Sequence, residues 1–486
     1  MASRNPNTPN IVFILTDDQG PWAMNCAGTP ELETPNLDGL AASGLRFENL
    51  FCASPVCSPA RASILTGRIP SFHGVHDWIR QGSTTHGEDG KLIQYLDGIT
   101  GYTDVLSANG YTCGISGKWH LGDSHHVQKG FDYWNVHSRG GGAYYNAPMM
   151  RGDEVYEEPE YVTDYIANNG ISFIDQQAAN DTPFYLSVHY TAPHSPWDRE
   201  NHPKDLWDRY RNECDFASMP REPRHPWQIN TAPQGWNEDE RRDKWAGYFA
   251  SITAMDAGVG RIVDSLDSHG LREDTLVVFT SDNGMNMGHH GLFGKGNASF
   301  PQNMYDTSVK VPGIISRPGH VPAGQVRQEL VSHLDIMPTL LDYTGMANPV
   351  TDETPGHSFA ALLRGESFEQ REDVVVFDEY GPVRMIRTRE WKYVHRFAYG
   401  PHELYDLVDD PGECVNRFDD PVCESIIREM RGRLSEWFLR YTDPARDASK
   451  EPVTGSGQLD LAGPAGKGQE AFFGGDDVKA QFHRET

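Results

Sequence analysis

Four short stretches of this chain hold residues suited to chemistry, and each follows an apolar run. Residues 10–16 lead into Asp17-Asp18, 112–116 into Gly117-Lys118-Trp119-His120, 184–190 into Thr191-Ala192-Pro193-His194, and 275–281 into Asp282-Asn283-Gly284. Asp17, Asp18, Asp282 and Asn283 offer only oxygen ligands. Such a set suits one hard divalent cation and not zinc, which prefers His or Cys. Three carboxylates and a carboxamide favour Ca²⁺ over Mg²⁺, because Ca²⁺ tolerates irregular oxygen shells. Taken singly, Asp-Asp and Asp-Asn-Gly also read as turn residues; two acidic pairs after apolar strands point to a metal.

A fifth stretch, Cys57-Ser58-Pro59-Ala60-Arg61-Ala62-Ser63-Ile64-Leu65-Thr66-Gly67-Arg68, reads as a helix with Ser58 as N-cap, Pro59 at N1 and Gly67 closing it. Cys57 then lies just before a helix N-terminus, where free N–H groups and the macrodipole favour an anion, with Arg61 in the first turn able to point back at it. A lone Cys is more often a buried structural thiol. A tyrosine-phosphatase reading needs five residues between Cys and Arg, and three stand here.

The elements that must position these groups follow from the pattern. Short β-branched or aromatic runs alternate with helical stretches, as in an α/β sheet whose strands are buried on both faces. If the four strands are parallel neighbours, their polar endings meet at one sheet edge, where ligands bind in open α/β folds. Residues 238–269 form a long helical candidate, with Trp245, Phe249, Ile252, Met255, Val259 and Ile262 near helical spacing. Beyond about residue 365, runs at 374–377, 384–387 and 392–395 read as antiparallel strands and 423–441 as an amphipathic helix. The expected organisation is a catalytic domain over 1–365, a small antiparallel-sheet-plus-helix subdomain over 366–441, and an extended tail over 442–486. That tail is rich in Gly, Pro, Ala and charge, and is expected to wrap the body or a neighbouring subunit, which would make a homo-oligomer.

Composition sets the outer bounds. The 486 residues include 69 acidic and 42 basic ones, a formal charge of −27, which argues against nucleic acid as partner. A small anionic substrate stays compatible, because a local cation cluster overrides a distant field. Seven cysteines without CxxC pairs do not look like a disulfide framework. The first ten residues lack an apolar leader and the run 11–15 is too short for a membrane span, so a cytoplasmic address and no membrane are expected.

Cys57 through Arg68 resembles the signature of the type I sulfatases of the alkaline-phosphatase superfamily, Cys (or Ser)-X-Pro-X-Arg followed by Thr-Gly-Arg. The resemblance runs from Asn10 to about Val321, with Asp17-Asp18 and Asp282-Asn283 matching the family's two metal pairs. Thr34-Pro35-Asn36-Leu37 and Val311-Pro312 look like framework segments. It implies an alkaline-phosphatase-like fold with a large, mixed, mostly parallel sheet flanked by helices. It also implies that a formylglycine-generating or anaerobic sulfatase-maturating enzyme converts Cys57 to formylglycine, an aldehyde whose hydrate is the nucleophile. Lys118 and His120 resemble the family's Lys-X-His pair, His194 the histidine near the leaving-group oxygen, and Lys295 the lysine that completes the sulfate clamp. His289 and His290 are further candidates to line the pocket, and His76-Asp77-Trp78 to recognise the leaving group.

Three rival readings compete with this one. A phosphonate monoester or phosphodiester hydrolase of the same superfamily can use the same aldehyde; the Lys118/His120 pair and Asn283 favour sulfate. A nucleotide-binding protein lacks its glycine spacing, since Gly258-Val259-Gly260 falls inside the long helical pattern. A non-catalytic sulfated-glycan binder would need a lost catalytic part, and none is visibly lost. A sulfated mono- or oligosaccharide is the expected substrate, aryl sulfates being accepted too. In 197–236, Trp197, Trp207, Trp227 and Trp236 stand among Arg199, Arg209, Arg211, Arg221 and Arg224. This stretch reads either as a sugar-stacking and anion-holding surface or as an insertion packed by its own aromatics.

Overall fold

The computed structural model describes residues 8–80, 86–87, 90–377, 383–397, 399–453 and 455–472. The first seven residues, where a leader was sought, and the last part of the expected tail, 473–486, lie outside the described residues.

The apolar runs form the centre of an eleven-stranded sheet. Its strands are β1 (Asn10–Thr16), β2 (Leu45–Phe51), β3 (Thr112–Lys118), β4 (Tyr133–His137), β5 (Ala147–Arg151), β6 (Glu154–Glu158), β7 (Phe184–His189), β8 (Thr275–Ser281), β9 (Lys310–Ser316), β10 (Gln325–Arg327) and β11 (Val331–Ser332). The order is β10-β2-β9-β8-β1-β7-β3-β4-β5-β6, with β11 also paired to β2. The run β8-β1-β7-β3-β4 is parallel throughout, while β9, β5 and β6 are antiparallel to their neighbours. The sheet is therefore mixed, with a parallel centre.

β1 is buried along its whole length because consecutive side chains serve two cores. Ile11, Phe13 and Leu15 pack into the cluster that includes α2 (Cys57–Thr66) and a helix over Ile336–Tyr343. Val12 and Ile14 pack into the cluster that includes α1 (Pro35–Ala42), a helix over Val162–Gln177 and the long helix Glu238–Ser268. The long helix starts with a capping box, in which the Asn237 side chain accepts from the Glu240 N–H and the Glu240 carboxylate accepts from the Asn237 N–H. Gly258 and Gly260 lie inside this helix, which removes them as a nucleotide loop. Its Asp256 carboxylate accepts the N–H groups of Asn36 and Leu37, so the Thr34–Leu37 framework segment is where two helices are tied together.

A four-stranded antiparallel sheet follows, β12 (Val374–Phe377), β13 (Val383–Arg387), β14 (Trp391–Arg396) and β15 (Glu403–Asp406), packed by a helix over Glu424–Tyr441. The described part of the tail crosses back over the body: Asp443 N–H donates to Ser71 O at 2.9 Å, and Gln458 bridges in parallel to Ile79. Among the described residues no helix is long and apolar enough to cross a membrane.

Candidate active site

Sheet register decides which side chains meet. Thr16 pairs with Ser281, and both Leu15 and Gly117 pair with His189, so the chain leaves β8, β1, β7 and β3 at one edge. Asp17 N–H donates to Ala192 O at 3.0 Å and Asp282 N–H to Thr16 O at 3.1 Å, which continues the ladder one residue past each strand. Asp18 turns out of that ladder with φ 63°, and its N–H donates to Asp282 Oδ1 at 3.2 Å.

Four ligand atoms, one each from Asp17, Asp18, Cys57 and Asp282, lie within 4.8 Å of one another, and all four residues are buried. Asn283 Nδ2 donates to Asp18 Oδ1 at 2.8 Å, while Asn283 Oδ1 is buried with no hydrogen-bond partner among the described residues. An orphaned carboxamide oxygen beside three buried carboxylates is a costly arrangement unless a cation joins it. The donor set is oxygen apart from the Cys57 sulfur, and it fits a hard divalent ion.

Three cations cover the same carboxylates. Arg61 Nε donates to Asp282 Oδ2 at 2.9 Å and its Nη1 to Lys118 O at 3.2 Å. Lys118 Nζ contacts Asp17 Oδ2, and Lys295 Nζ reaches Asp18 Oδ1 at 2.6 Å and Cys57 Sγ at 3.0 Å. Burial pulls the Lys295 ammonium down, but the carboxylate of Asp18 and its neighbours outweigh this and hold its pKa well above the ordinary value. Burial pushes the Cys57 thiol up, and the Asp17 charge adds to that, so as a thiol Cys57 is a neutral group.

Helix α2 begins two residues earlier than its sequence suggests. Val56 is the N-cap and Cys57 the first helical residue; the Ser58 hydroxyl does not cap but accepts the Ile79 N–H at 3.1 Å. Competition from that distant backbone donor displaces the expected cap. Cys57 still stands in the helix's first turn, and Gly67 ends it in the left-handed conformation at φ 66° as expected.

Two histidines line the same cavity as Cys57. His194 belongs with Asp17 and Cys57 to a second set of ligand atoms within 4.8 Å of one another. Its Nδ1 sits 2.7 Å from Ser195 O, so Nδ1 carries the proton and Nε2 faces Asp18 Oδ2 at 3.7 Å. His120 Nε2 lies 3.0 Å from Ile79 O, which fixes the proton there and leaves Nδ1 with a lone pair, buried and unpartnered among the described residues. Burial, helped by the Lys118 charge, holds His120 well below the ordinary imidazole pKa and keeps it neutral.

Cys57, His120, His194 and Lys295 open into a cavity of about 570 Å³, a size suited to a small ligand. Trp78 lines it, but His76 and Asp77 are buried behind: the N–H groups of both donate to Gln458 Oε1, and the Asp77 carboxylate accepts the N–H groups of Trp78 and Gly457. His289 and His290 do not line it either; His289 packs on Trp22 with ring centres 4.7 Å apart, and His290 stacks on Tyr305 at 3.7 Å. The 197–236 stretch follows the packing alternative. Trp197 donates to Pro193 O, Trp207 to Trp197 O, and Arg199, Arg209, Arg211 and Arg221 all pair with acidic side chains. Only Asn230 and Thr231 of that stretch reach the cavity.

Sequence reasoning missed the rest of the wall: Arg80, the loop 139–142, Asn297 and the tail residues Gly455 and Ser456. The run Gly140-Gly141-Gly142 was the available signal. A Cβ on Gly140 would fall 2.2 Å from the His120 ring, so that position needs glycine for the ring to fit. A larger cavity, about 850 Å³, lies between 86–97 and the tail and includes none of the reactive groups above.

Comparison with known proteins agrees with this geometry. Residues 9–346 match the sulfatase family, and 288–439 match the N-sulphoglucosamine sulphohydrolase C-terminal family. The chain is 30% identical over 463 residues to an ulvan-active sulfatase of Formosa agariphila, covering 90% of this chain and 82% of that protein. It is 27% identical to an N-acetylglucosamine-6-O-sulfatase of Bacteroides thetaiotaomicron, covering 93% and 90%. A solved structure in complex with its substrate D-glucosamine-2-N,6-O-disulfate superposes with a TM-score of 0.73 at 25% identity, covering 91% of this chain and all of that one. A mixed sheet whose central strands deliver acidic pairs, lysines and a buried Cys-X-Pro-X-Arg helix to one cavity, together with these matches, establishes that the chain belongs to the sulfatase family and is a sulfuric ester hydrolase.

Proposed function

We propose that this sulfatase hydrolyses sulfate monoesters of carbohydrates, with Ca²⁺ held by Asp17, Asp18, Asp282 and Asn283 and with Cys57 converted to formylglycine by a maturation enzyme. The observation that carries this reading is the set of buried ligand atoms around Cys57, bordered by Arg61, Lys118 and Lys295. The carbohydrate assignment is supported by relatives that act on ulvan and on N-acetylglucosamine 6-sulfate.

When bound, the cation supplies charge neutralisation at the sulfuryl oxygens and acidity at the attacking hydroxyl. The aldehyde would supply, as its hydrate, one hydroxyl to attack sulfur and a second whose deprotonation re-forms the aldehyde and expels sulfate by C–O cleavage. Arg61, Lys118 and Lys295 bind the three sulfuryl oxygens and hold the ester in line. His194, whose Nε2 faces Asp18 Oδ2 at 3.7 Å, gives a proton from Nε2 to the departing sugar oxygen as its S–O bond breaks. His120, neutral and with its lone pair on Nδ1, takes the proton from the remaining hydroxyl.

Turnover of an aryl sulfate, an aryl phosphonate and an aryl phosphodiester by wild type and Cys57→Ala tests the chemistry. Sulfate release that disappears in Cys57→Ala is expected; faster turnover of phosphonate or diester would replace this reading with the related hydrolase. A panel of defined sulfated sugars tests the carbohydrate assignment, which inactivity on every member would remove.

A further inference from the structure

We propose that the outer part of the cavity is a subsite for a second anionic group on the substrate, with Arg139 as its cation and the Trp78–Arg80 edge as its wall. This rests on the carbohydrate reading and narrows it to sugars that carry a sulfate or carboxylate besides the scissile ester.

The charge distribution points there first. The chain has a formal charge of −27, yet the described residues lining the cavity include no Asp or Glu, while Arg80, Arg139 and Lys295 all line it. The cations around the acidic cluster are committed: Arg61 is paired to Asp282, Lys118 to Asp17 and Lys295, which also lines the cavity, to Asp18. They serve one sulfuryl group and leave nothing over for another anion.

Arg139 differs from them. It is exposed at the cavity, and its guanidinium makes no ion pair or hydrogen bond among the described residues. Elsewhere on the surface, Arg199, Arg209, Arg211 and Arg221 each hold an acidic partner. The Arg139 backbone is nevertheless fixed, its N–H donating to His137 Nδ1 at 3.0 Å. The loop it opens lies over both histidines, because a Cβ on Gly140 would meet the His120 ring and one on Gly141 would come within 3.4 Å of His194 Nδ1. A sugar whose leaving oxygen reaches His194 therefore passes beside Arg139.

The Trp78–Arg80 part of the wall is built to stay in place. Trp78 Nε1 donates to Gly455 O at 3.1 Å, and Arg80 Nη1 donates to Ser456 O at 2.7 Å. The Arg80 guanidinium lies 5.7 Å from the Trp78 ring centre, which leaves a half-buried indole beside a cation. An aromatic face next to an arginine fork suits a sugar ring bearing an anionic substituent.

The test compares kcat/KM for three substrates: a monosulfated N-acetylhexosamine, the same hexosamine with a second sulfate, and the monosulfated sugar joined to a uronic acid. Wild type, Arg139→Ala and Arg139→Lys are measured on all three. Wild type is expected to prefer at least one two-anion substrate by about tenfold or more, as a charge-assisted contact implies. Which one wins distinguishes sulfate from carboxylate. Arg139→Ala is expected to bring that ratio close to one, chiefly through KM, and Arg139→Lys to keep part of it. If the monosulfated sugar is cleaved as well as the others, or Arg139→Ala keeps the preference, the second subsite is wrong and the carbohydrate reading stands. If aryl sulfate is cleaved and no sugar is, both fall together.

Discussion

Residue 57 shows how strongly position governs reactivity. Cys57 is only 2% exposed and its thiol is pushed up by burial, so a plain thiolate is disfavoured where a nucleophile is needed. On the proposed maturation, this burial requires the modifying enzyme to reach residue 57 before α2 packs against the sheet. The motif was legible because Cys, Pro and Arg keep a fixed spacing along one helix turn, and the metal pairs because each directly follows an apolar strand. Gly140 carried no comparable label, since its role lies in the space it leaves for a ring twenty residues away. Gly140→Ala forces a contact of 2.2 Å with His120, whose Nε2 is already held by Ile79 O. That variant is expected to fold, and to lose about 100-fold in kcat through displacement of the base; an unchanged kcat would show that His120 has no such role.

At the scale of elements, β1, β7, β8 and the long helix were read from sequence almost to their observed ends, because burial on both faces leaves near-continuous apolar runs. The cavity wall was not legible. It is assembled from a loop after β4, two residues of the 197–236 stretch and two of the tail, which come together only through tertiary packing. His76 and Asp77 were misread for the same reason: the tail covers them, and only the neighbouring Trp78 reaches the cavity. Gln458 is the link, fully buried, accepting from the N–H groups of His76 and Asp77 and donating to Gly74 O and Asp460 O. Gln458→Ala strands these backbone groups and is expected to cost about 2–4 kcal/mol and to raise KM as the Trp78–Arg80 edge loosens. Calorimetry with steady-state kinetics checks both; an unchanged melting temperature would mean that the tail does not hold this edge.

The whole molecule balances buried charge against buried neutral histidines. Burial lowers His137 and His202 to about 4, whereas the unfolded imidazoles titrate near 6.5. Between those values the unfolded chain binds protons that the folded chain does not. The stability at stake is therefore fully present above about pH 6.5 and is lost as pH falls toward 4, at about 1.4 kcal/mol per pH unit for each histidine. The melting temperature is expected to drop from pH 7 to pH 5, and a flat profile would contradict the assignment. Removal of divalent ions by a chelator leaves the three buried carboxylates with Arg61, Lys118 and Lys295 as their compensating charges. It is expected to abolish sulfate release and lower the melting temperature, with Ca²⁺ restoring both; full activity without divalent ions would refute the metal site.

The proposed reaction rests on an aldehyde at position 57 whose hydrate attacks sulfur through one hydroxyl. Preparations matured to different extents, by varying the supply of maturation enzyme, allow the mass of the peptide containing residue 57 to be set against sulfate release in the same samples. Activity is expected to rise in proportion to the fraction of that peptide in the lighter aldehyde form and to vanish where only thiol is found. Full turnover from protein whose residue 57 is entirely thiol would contradict the account.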